Sequence, residues 1–148
     1  MDVKKPDQIV DNTMILSQYV DIYVSESAFY LYQRKGYWDD VVTQIAKFDL
    51  SDGKMNAVGA VSANGRVTDT FAVNECEGKL RVLTSGQNAV SGEAENNLYL
   101  FDENLNLTGK IEGLAQGEEI YAARYLGNMA YFVTYRNTDP LFAVDLSD

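Results

Sequence analysis

Apolar and polar residues alternate along most of this chain. The alternation has the two-residue period of a half-buried strand, not the 3.6-residue period of a helix. In the segment 41–50, Val42, Gln44, Ala46 and Phe48 fall on one side and Thr43, Ile45 and Lys47 on the other. Near the N-terminus, Tyr19, Asp21 and Tyr23 alternate with Val20, Ile22 and Val24. The runs are short and are punctuated by Ser25-Glu26-Ser27, Asp52-Gly53, Asn64-Gly65, Glu77-Gly78 and Gly127-Asn128, all turn formers. The pattern predicts strands over 19–24, 28–33, 41–50, 54–63, 67–75, 79–84, 97–102 and 107–114. Two more flank the turn at Leu126-Gly127-Asn128, and a last one follows Asp139-Pro140. Residues 1–12 read as a flexible polar arm. Residues 34–40 read as a loop carrying Tyr37 and Trp38, and 85–96, rich in Gly, Ser, Asn and Glu, as a mobile polar loop.

The strands recur in sets. Ser27-Ala-Phe-Tyr-Leu-Tyr, Gly78-Lys-Leu-Arg-Val-Leu and Gly127-Asn-Met-Ala-Tyr-Phe align at intervals of 51 and 49 residues. A second element, ending in Phe-Asp or Val-Asp, recurs with Asp49, Asp102 and Asp145 in register. A period of roughly 40–50 residues with four strands per period is the signature of propeller blades. The expected fold is therefore all-β, with antiparallel four-stranded blades of a β-propeller. The expected blade-like units are 13–63, 67–114 and 118–148. Two blades are complete and the third has three strands, so the chain is read as two and a half to three blades, not a closed ring: a fragment, or a chain that completes a sheet with another copy. The repeated Asp is expected to accept hydrogen bonds from backbone N–H groups just past the strand, as an Asx-turn.

Composition narrows the function. At 148 residues with 46% hydrophobic content, the chain can bury a real core. It has 22 acidic and 12 basic residues, a net charge of −10. That charge repels phosphate backbones, so nucleic acid is not an expected partner. There is no histidine and a single cysteine, Cys76. An internal disulfide and any Ser-His-Asp or Cys-His site are excluded within the chain. No apolar run is long enough to span a membrane, and Met1-Asp-Val-Lys-Lys-Pro6 has no apolar segment behind it to act as a signal peptide.

The segments Ile45-Ala-Lys-Phe-Asp-Leu-Ser-Asp-Gly53, Asn97-Leu-Tyr-Leu-Phe-Asp-Glu-Asn-Leu105 and Tyr135-Arg-Asn-Thr-Asp-Pro-Leu-Phe-Ala-Val-Asp-Leu-Ser-Asp148 resemble bacterial and archaeal secreted proteins with a C-terminal β-propeller domain, distantly WD-like. The resemblance covers about 43–148. It implies a propeller and an extracytoplasmic location, and it carries over no catalytic residues.

Candidate chemistry is sparse. Arg124, Arg136 and Asp139, with Asp145, form the densest polar group. Its plain reading is an ion pair holding the loop before Pro140, and its functional reading is a ligand contact. Tyr37 and Trp38, beside Asp39 and Asp40, form an aromatic-acidic loop suited to a carbohydrate or peptide face. Asp39, Asp40, Asp49 and Asp52 lack the spacing of a Ca²⁺ loop, and Gly86–Gly92 lacks the Lys and following helix of a phosphate loop. No catalytic residue, metal site or cofactor is expected. Two function classes follow. One is a non-catalytic module for binding or scaffolding at the cell surface, with a protein or carbohydrate ligand and self-association through open blade faces. The other is a hydrolase acting on glycans or peptides with carboxylates as acid and base.

Overall fold

The computed structural model describes residues 4, 17, 19–37, 40–88, 90–135 and 140–147. Those residues form three antiparallel sheets in chain order. Sheet 1 holds β1 (Asp21–Val24), β2 (Ala28–Lys35), β3 (Val42–Asp49) and β4 (Asn56–Asn64). Sheet 2 holds β5 (Val73–Cys76), β6 (Lys79–Gln87), β7 (Ala94–Phe101) and β8 (Leu107–Leu114). Sheet 3 holds β9 (Glu119–Leu126), β10 (Met129–Tyr135) and β11 (Leu141–Asp145). Each strand pairs with its sequence neighbour, which is the simple meander of a propeller blade. Among the described residues the ring does not close.

The sheets stack face on face, so each has a forward face toward the next sheet and a rear face toward the one before. The period of two sorts the side chains. The forward face of sheet 1 supplies Tyr30, Tyr32 and Ile45, which pack with Leu80, Val82, Tyr99 and Phe101 from the rear face of sheet 2. The forward face of sheet 2 supplies Leu83 and Leu98, which pack with Ile120, Ala123 and Phe132 from the rear face of sheet 3. The expected split of β3 holds. Thr43, Ile45 and Lys47 are buried toward sheet 2, and Gln44 and Ala46 lie on the other face.

Charged and polar groups pin the seams. Lys47 Nζ donates to Glu103 O (3.0 Å) and Gly78 O (3.4 Å), on two turns of sheet 2. Arg81 donates to Gly127 O (2.5 Å) and Asn128 Oδ1 (3.2 Å), on the β9–β10 turn of sheet 3. In each case a cation from one blade neutralises the unpaired carbonyls of a hairpin turn on the next. Glu75 accepts from Tyr30 and Ser27 of sheet 1, and its own N–H donates to Tyr23 Oη (2.9 Å). Burial, with the Glu75 hydrogen bond second, raises the Tyr30 phenol well above its ordinary value.

Three expectations from the sequence are corrected. Residues 67–75 are not one strand. Thr70–Ala72 form a turn of 3-10 helix capped by Asp69, whose carboxylate accepts from Phe71 N (2.7 Å) and Ala72 N (3.1 Å), and only Val73–Cys76 is strand. The segment must cross from the last strand of one sheet to the first of the next, which a continuous strand cannot do. Residues 85–96 are not a loop throughout, because β6 runs to Gln87 and β7 starts at Ala94. Ser85 and Asn96 are 3% and 0% exposed and bond each other (2.6 Å), so they are seam residues despite their polar type. Finally, the turn of sheet 2 and the turn of sheet 3 align one residue away from the glycine register. Cys76 pairs with Lys79 and Leu126 with Met129, which places Glu77 opposite Gly127 in the repeat. Both Glu77 and Gly78 have positive φ (52° and 78°), whereas in the second turn Gly127 takes the positive φ of 56°.

The repeated aspartates do form Asx-turns. Asp49 accepts from Ser51 N (2.9 Å) and Ser51 Oγ (2.6 Å). Asp102 accepts from Asn104 N (2.9 Å), Asn106 N (2.8 Å) and Asn106 Nδ2 (2.9 Å). Asp145 accepts from Ser147 N (3.0 Å) and Ser147 Oγ (2.6 Å). These bonds, led by the side-chain donors, hold all three carboxyls below their ordinary range.

Candidate functional site

The sequence points to the end of the blades where β2 hands over to β3. Strand β2 stops at Lys35 because Gly36 turns the chain with φ of 83°. A Cβ at Gly36 would stand 2.2 Å from Asp40 O, so the loop folds back on itself too closely for any side chain there. Asp40 N closes the turn on Tyr37 O at 3.3 Å. The result is a Tyr37 ring held outward and 79% exposed. It borders an open concavity of about 690 Å³ shared with Tyr19, Asp21, Gln33, Arg34 and Lys35.

A second hollow, of about 200 Å³, opens beside it between sheets 1 and 2. Arg34 lines both hollows. Here Arg66 pairs with Glu119 at 3.3 Å, joining the β4–β5 connector to sheet 3. The floor is backbone. Arg66 and Ser85 exchange N–H···O bonds at 2.7 and 2.9 Å, and Gly65 and Gly86 approach so closely that a Cβ on Gly86 would lie 3.1 Å from Gly65 Cα. The smaller hollow thus sits on the seam and the larger on sheet 1 beside it, with a tyrosine and cationic side chains at their rim in a chain whose net charge is −10.

The predicted site residues do not all meet here. Trp38, Arg136 and Asp139 lie outside the described residues, as does Asp39. Arg124 lies on β9 opposite Tyr131, with its guanidinium 3.8 Å from the Phe71 ring centroid and Nη1 bonded to Ala123 O (2.5 Å). It does not line the Tyr37 concavity. Its described partners are an aromatic ring and a carbonyl, a cation–π arrangement that needs no carboxylate. Sequence reasoning passed over Arg34, Lys35 and Arg66. Arg34 and Lys35 directly precede Gly36-Tyr37, and a basic pair next to an aromatic turn is the signal that could have brought them in.

Sheets of this order, stacked forward face on rear face, set the family. The beta propeller domain family matches residues 1–148. The chain belongs to that family. It is 41% identical over 114 residues to an uncharacterized protein of Methanocaldococcus jannaschii, covering 76% of this chain and 18% of the relative. It is 43% identical over 106 residues to an uncharacterized protein of Archaeoglobus fulgidus, covering 72% of this chain and 16% of the relative. The chain thus spans less than a fifth of the length of these curated relatives.

In this propeller six of the described carboxylates have structural partners. Asp49, Asp102 and Asp145 close turns, Asp69 caps a helix, Glu75 ties sheet 1 to sheet 2, and Glu112 pairs with Lys110 at 2.7 Å. The three turn aspartates are pushed toward the ionised form, opposite to what a general acid at neutral pH needs.

Proposed function

We propose that this propeller segment is a non-catalytic binding or scaffolding module at the cell surface. It would take a protein or carbohydrate ligand at the Tyr37 end of the seam between sheets 1 and 2. The observation that carries this reading is the exposed Tyr37 ring on a loop fixed by Gly36, with Arg34 shared by the two hollows beside it. A rigid tyrosine offers stacking area at low entropic cost, and Arg34 adds charged donors for hydroxyls or carboxylates. The engagement of the carboxylates in turns and seams favours binding over the hydrolase reading.

The test is titration of the purified chain with a panel of soluble oligosaccharides and peptides, by calorimetry, for wild type and Tyr37→Ala. The expected result is at least one binder whose affinity falls tenfold or more in Tyr37→Ala. Release of new reducing ends or free amines from any panel member would overturn the non-catalytic reading. Binding indifferent to Tyr37→Ala would move the site elsewhere. In the same reading, the open blade faces at the two ends of the stack support self-association.

A further inference from the structure

The smaller hollow beside Tyr37 does not end at Arg66. Val41, Gly86 and Gln87 line it, and they also line a third hollow of about 270 Å³ on the same seam, whose other walls include Asp40, Gly65 and Glu95. Sharing these residues, the two hollows are halves of one groove. Its floor carries little bulk. Gly86 has no side chain, and a Cβ there would stand 3.1 Å from Gly65 Cα, so sheets 1 and 2 meet here as bare backbone. The paired backbones of Arg66 and Ser85 fix the spacing of the two walls.

The halves carry opposite charge. The first has Arg34 and Arg66 against the single carboxylate of Glu119, a net positive patch in a chain whose net charge is −10. Arg66 pairs with Glu119 at 3.3 Å, and Arg34 is in no ion pair among the described residues. Beyond Arg34, in the Tyr37 concavity, Lys35 adds a further cation and Asp21 an opposing carboxylate. The second half has Asp40 and Glu95 and, among the described residues, no lysine or arginine in its lining. Glu95 accepts from Asn88 Nδ2 (2.9 Å), a neutral donor that holds the carboxylate without cancelling its charge. Like charges lining one small hollow gain from an incoming cation. Among the described residues no three acidic or cysteine side chains converge as metal ligands, which favours an organic cation.

We propose that this groove takes a peptide segment carrying both signs of charge, with an acidic side chain at Arg34 and Arg66 and a lysine or arginine at Asp40 and Glu95. This rests on the binding reading of the Tyr37 end, and it narrows the ligand there from protein or carbohydrate to protein. A neutral saccharide leaves both sets of charges unpaired. A polyanionic one meets Asp40 and Glu95 with like charge, and a wholly basic peptide meets Arg34 and Arg66 in the same way. Of these ligands, the chain that changes sign along its length is the one that pairs with both halves. Arg34 joins the groove to the Tyr37 concavity, so an apolar or aromatic residue of the same segment lies against the exposed ring.

The probes are short blocked peptides of Ala, Ser and Tyr carrying one Glu and one Lys at varied spacing and in both orders, with Glu-only, Lys-only and uncharged versions of each. Binding is read by calorimetry at low salt, where exposed ion pairs are least screened. The tightest mixed peptide should bind roughly tenfold or more tightly than its uncharged version. Arg34→Gln should weaken that peptide about fivefold and leave the Lys-only peptide unchanged, and Asp40→Asn should weaken it by a similar factor and leave the Glu-only peptide unchanged. Both substitutions are at exposed positions, and circular dichroism checks that each variant folds. A Glu-only or Lys-only peptide that binds as tightly as the mixed one would overturn the two-signed groove, as would mixed-peptide binding that neither variant weakens. Oligosaccharide binding that depends on Tyr37, with no peptide bound, would overturn the peptide assignment and leave the Tyr37 site standing. No binder of either kind would overturn both.

Discussion

The two internal seams do one job with different chemistry. Between sheets 1 and 2, the chain that leaves β4 is fastened by backbone. Arg66 and Ser85 exchange hydrogen bonds, Gly65 packs directly on Ser85, and the Thr43 hydroxyl donates to Gly65 O (2.8 Å) and accepts from Val67 N (3.2 Å). Between sheets 2 and 3, the chain that leaves β8 is fastened by one amide together with a backbone bond from Gly117 N to Ala94 O (2.7 Å). Asn96 Nδ2 donates to Leu114 O (3.0 Å), Glu118 O (3.1 Å) and Ala115 O (3.4 Å), and its Oδ1 accepts from Ser85 Oγ (2.6 Å). Thr43 and Asn96 stand at the same position, six residues before Asp49 and Asp102. A hydroxyl suffices where the connector runs close enough to bridge to the strand through its own backbone. In the second seam the connector's backbone bond runs back to β7 of its own sheet, and the amide supplies the partners of its other carbonyls. The apolar sides differ as well. The first seam is built on Tyr30, Tyr32, Tyr99 and Phe101, and in the second Phe132, stacked on Phe142 at 4.9 Å, is the one large ring fully buried among the described residues.

The comparison breaks most directly at Phe132. Phe132→Ala should cost about 3–5 kcal/mol in urea unfolding, because one side chain carries so much of the second seam. A cost under about 1 kcal/mol would mean that sheet 3 is not held by that seam. Next comes the connector position. Asn96→Ala should cost about 1–3 kcal/mol, since it strands several carbonyls at once, and Thr43→Val about 1 kcal/mol, since the backbone bridge remains. Equal costs would erase the distinction drawn between amide and hydroxyl.

A smaller effect appears at high pH. Burial, with the Glu112 charge second, raises the Tyr99 phenol from 10.0 to about 12, and burial raises Tyr30 and Tyr125 as well. A phenol whose folded pKa is raised stabilises the fold fully below the unfolded value of 10.0 and loses that stabilisation as pH climbs through the folded value. Stability should therefore fall between pH 10.0 and about 12, with tyrosinate absorbance rising together with unfolding. Tyr99→Phe should move the alkaline midpoint upward, and absorbance that rises well before unfolding would count against buried phenols. The smallest effect belongs to the turns. Asp49→Ala and Asp145→Ala should each lower Tm slightly and by similar amounts, because both bond a Ser two residues on. Their folded pKa values are lowered, so this stabilisation is present above the ordinary carboxylate value of about 3.9 and is lost as pH falls below it.

Much of the fold was legible because strand periodicity and turn chemistry are local. The alternation in β3, the Asx-turns at Asp49, Asp102 and Asp145, and the count of strands in each blade all follow from neighbours in sequence. What stayed hidden is what depends on distant partners. Ser85 and Asn96 look like loop residues by type, and only the approach of the next blade makes them buried and satisfied. Asp69 looked like part of a strand until its cap on Phe71 and Ala72 replaced the ladder. The site was half legible. Tyr37 is an aromatic at a Gly turn, readable from local sequence, but Arg66 reaches the same end only because the connector crosses from sheet 1 to sheet 2. Arg124 was read as a partner for a carboxylate, whereas the ring of Phe71, 53 residues earlier, receives it.

The backbone bridge between Arg66 and Ser85 has a further consequence for deuterium exchange. The two amides belong to different blades, yet each is protected by the carbonyl of the other. Neither can exchange its hydrogen with solvent while the blades are joined, and fraying within one sheet does not free them. Their exchange rate therefore measures how often sheets 1 and 2 part, which makes one pair of peptide groups a clock for separation of whole blades.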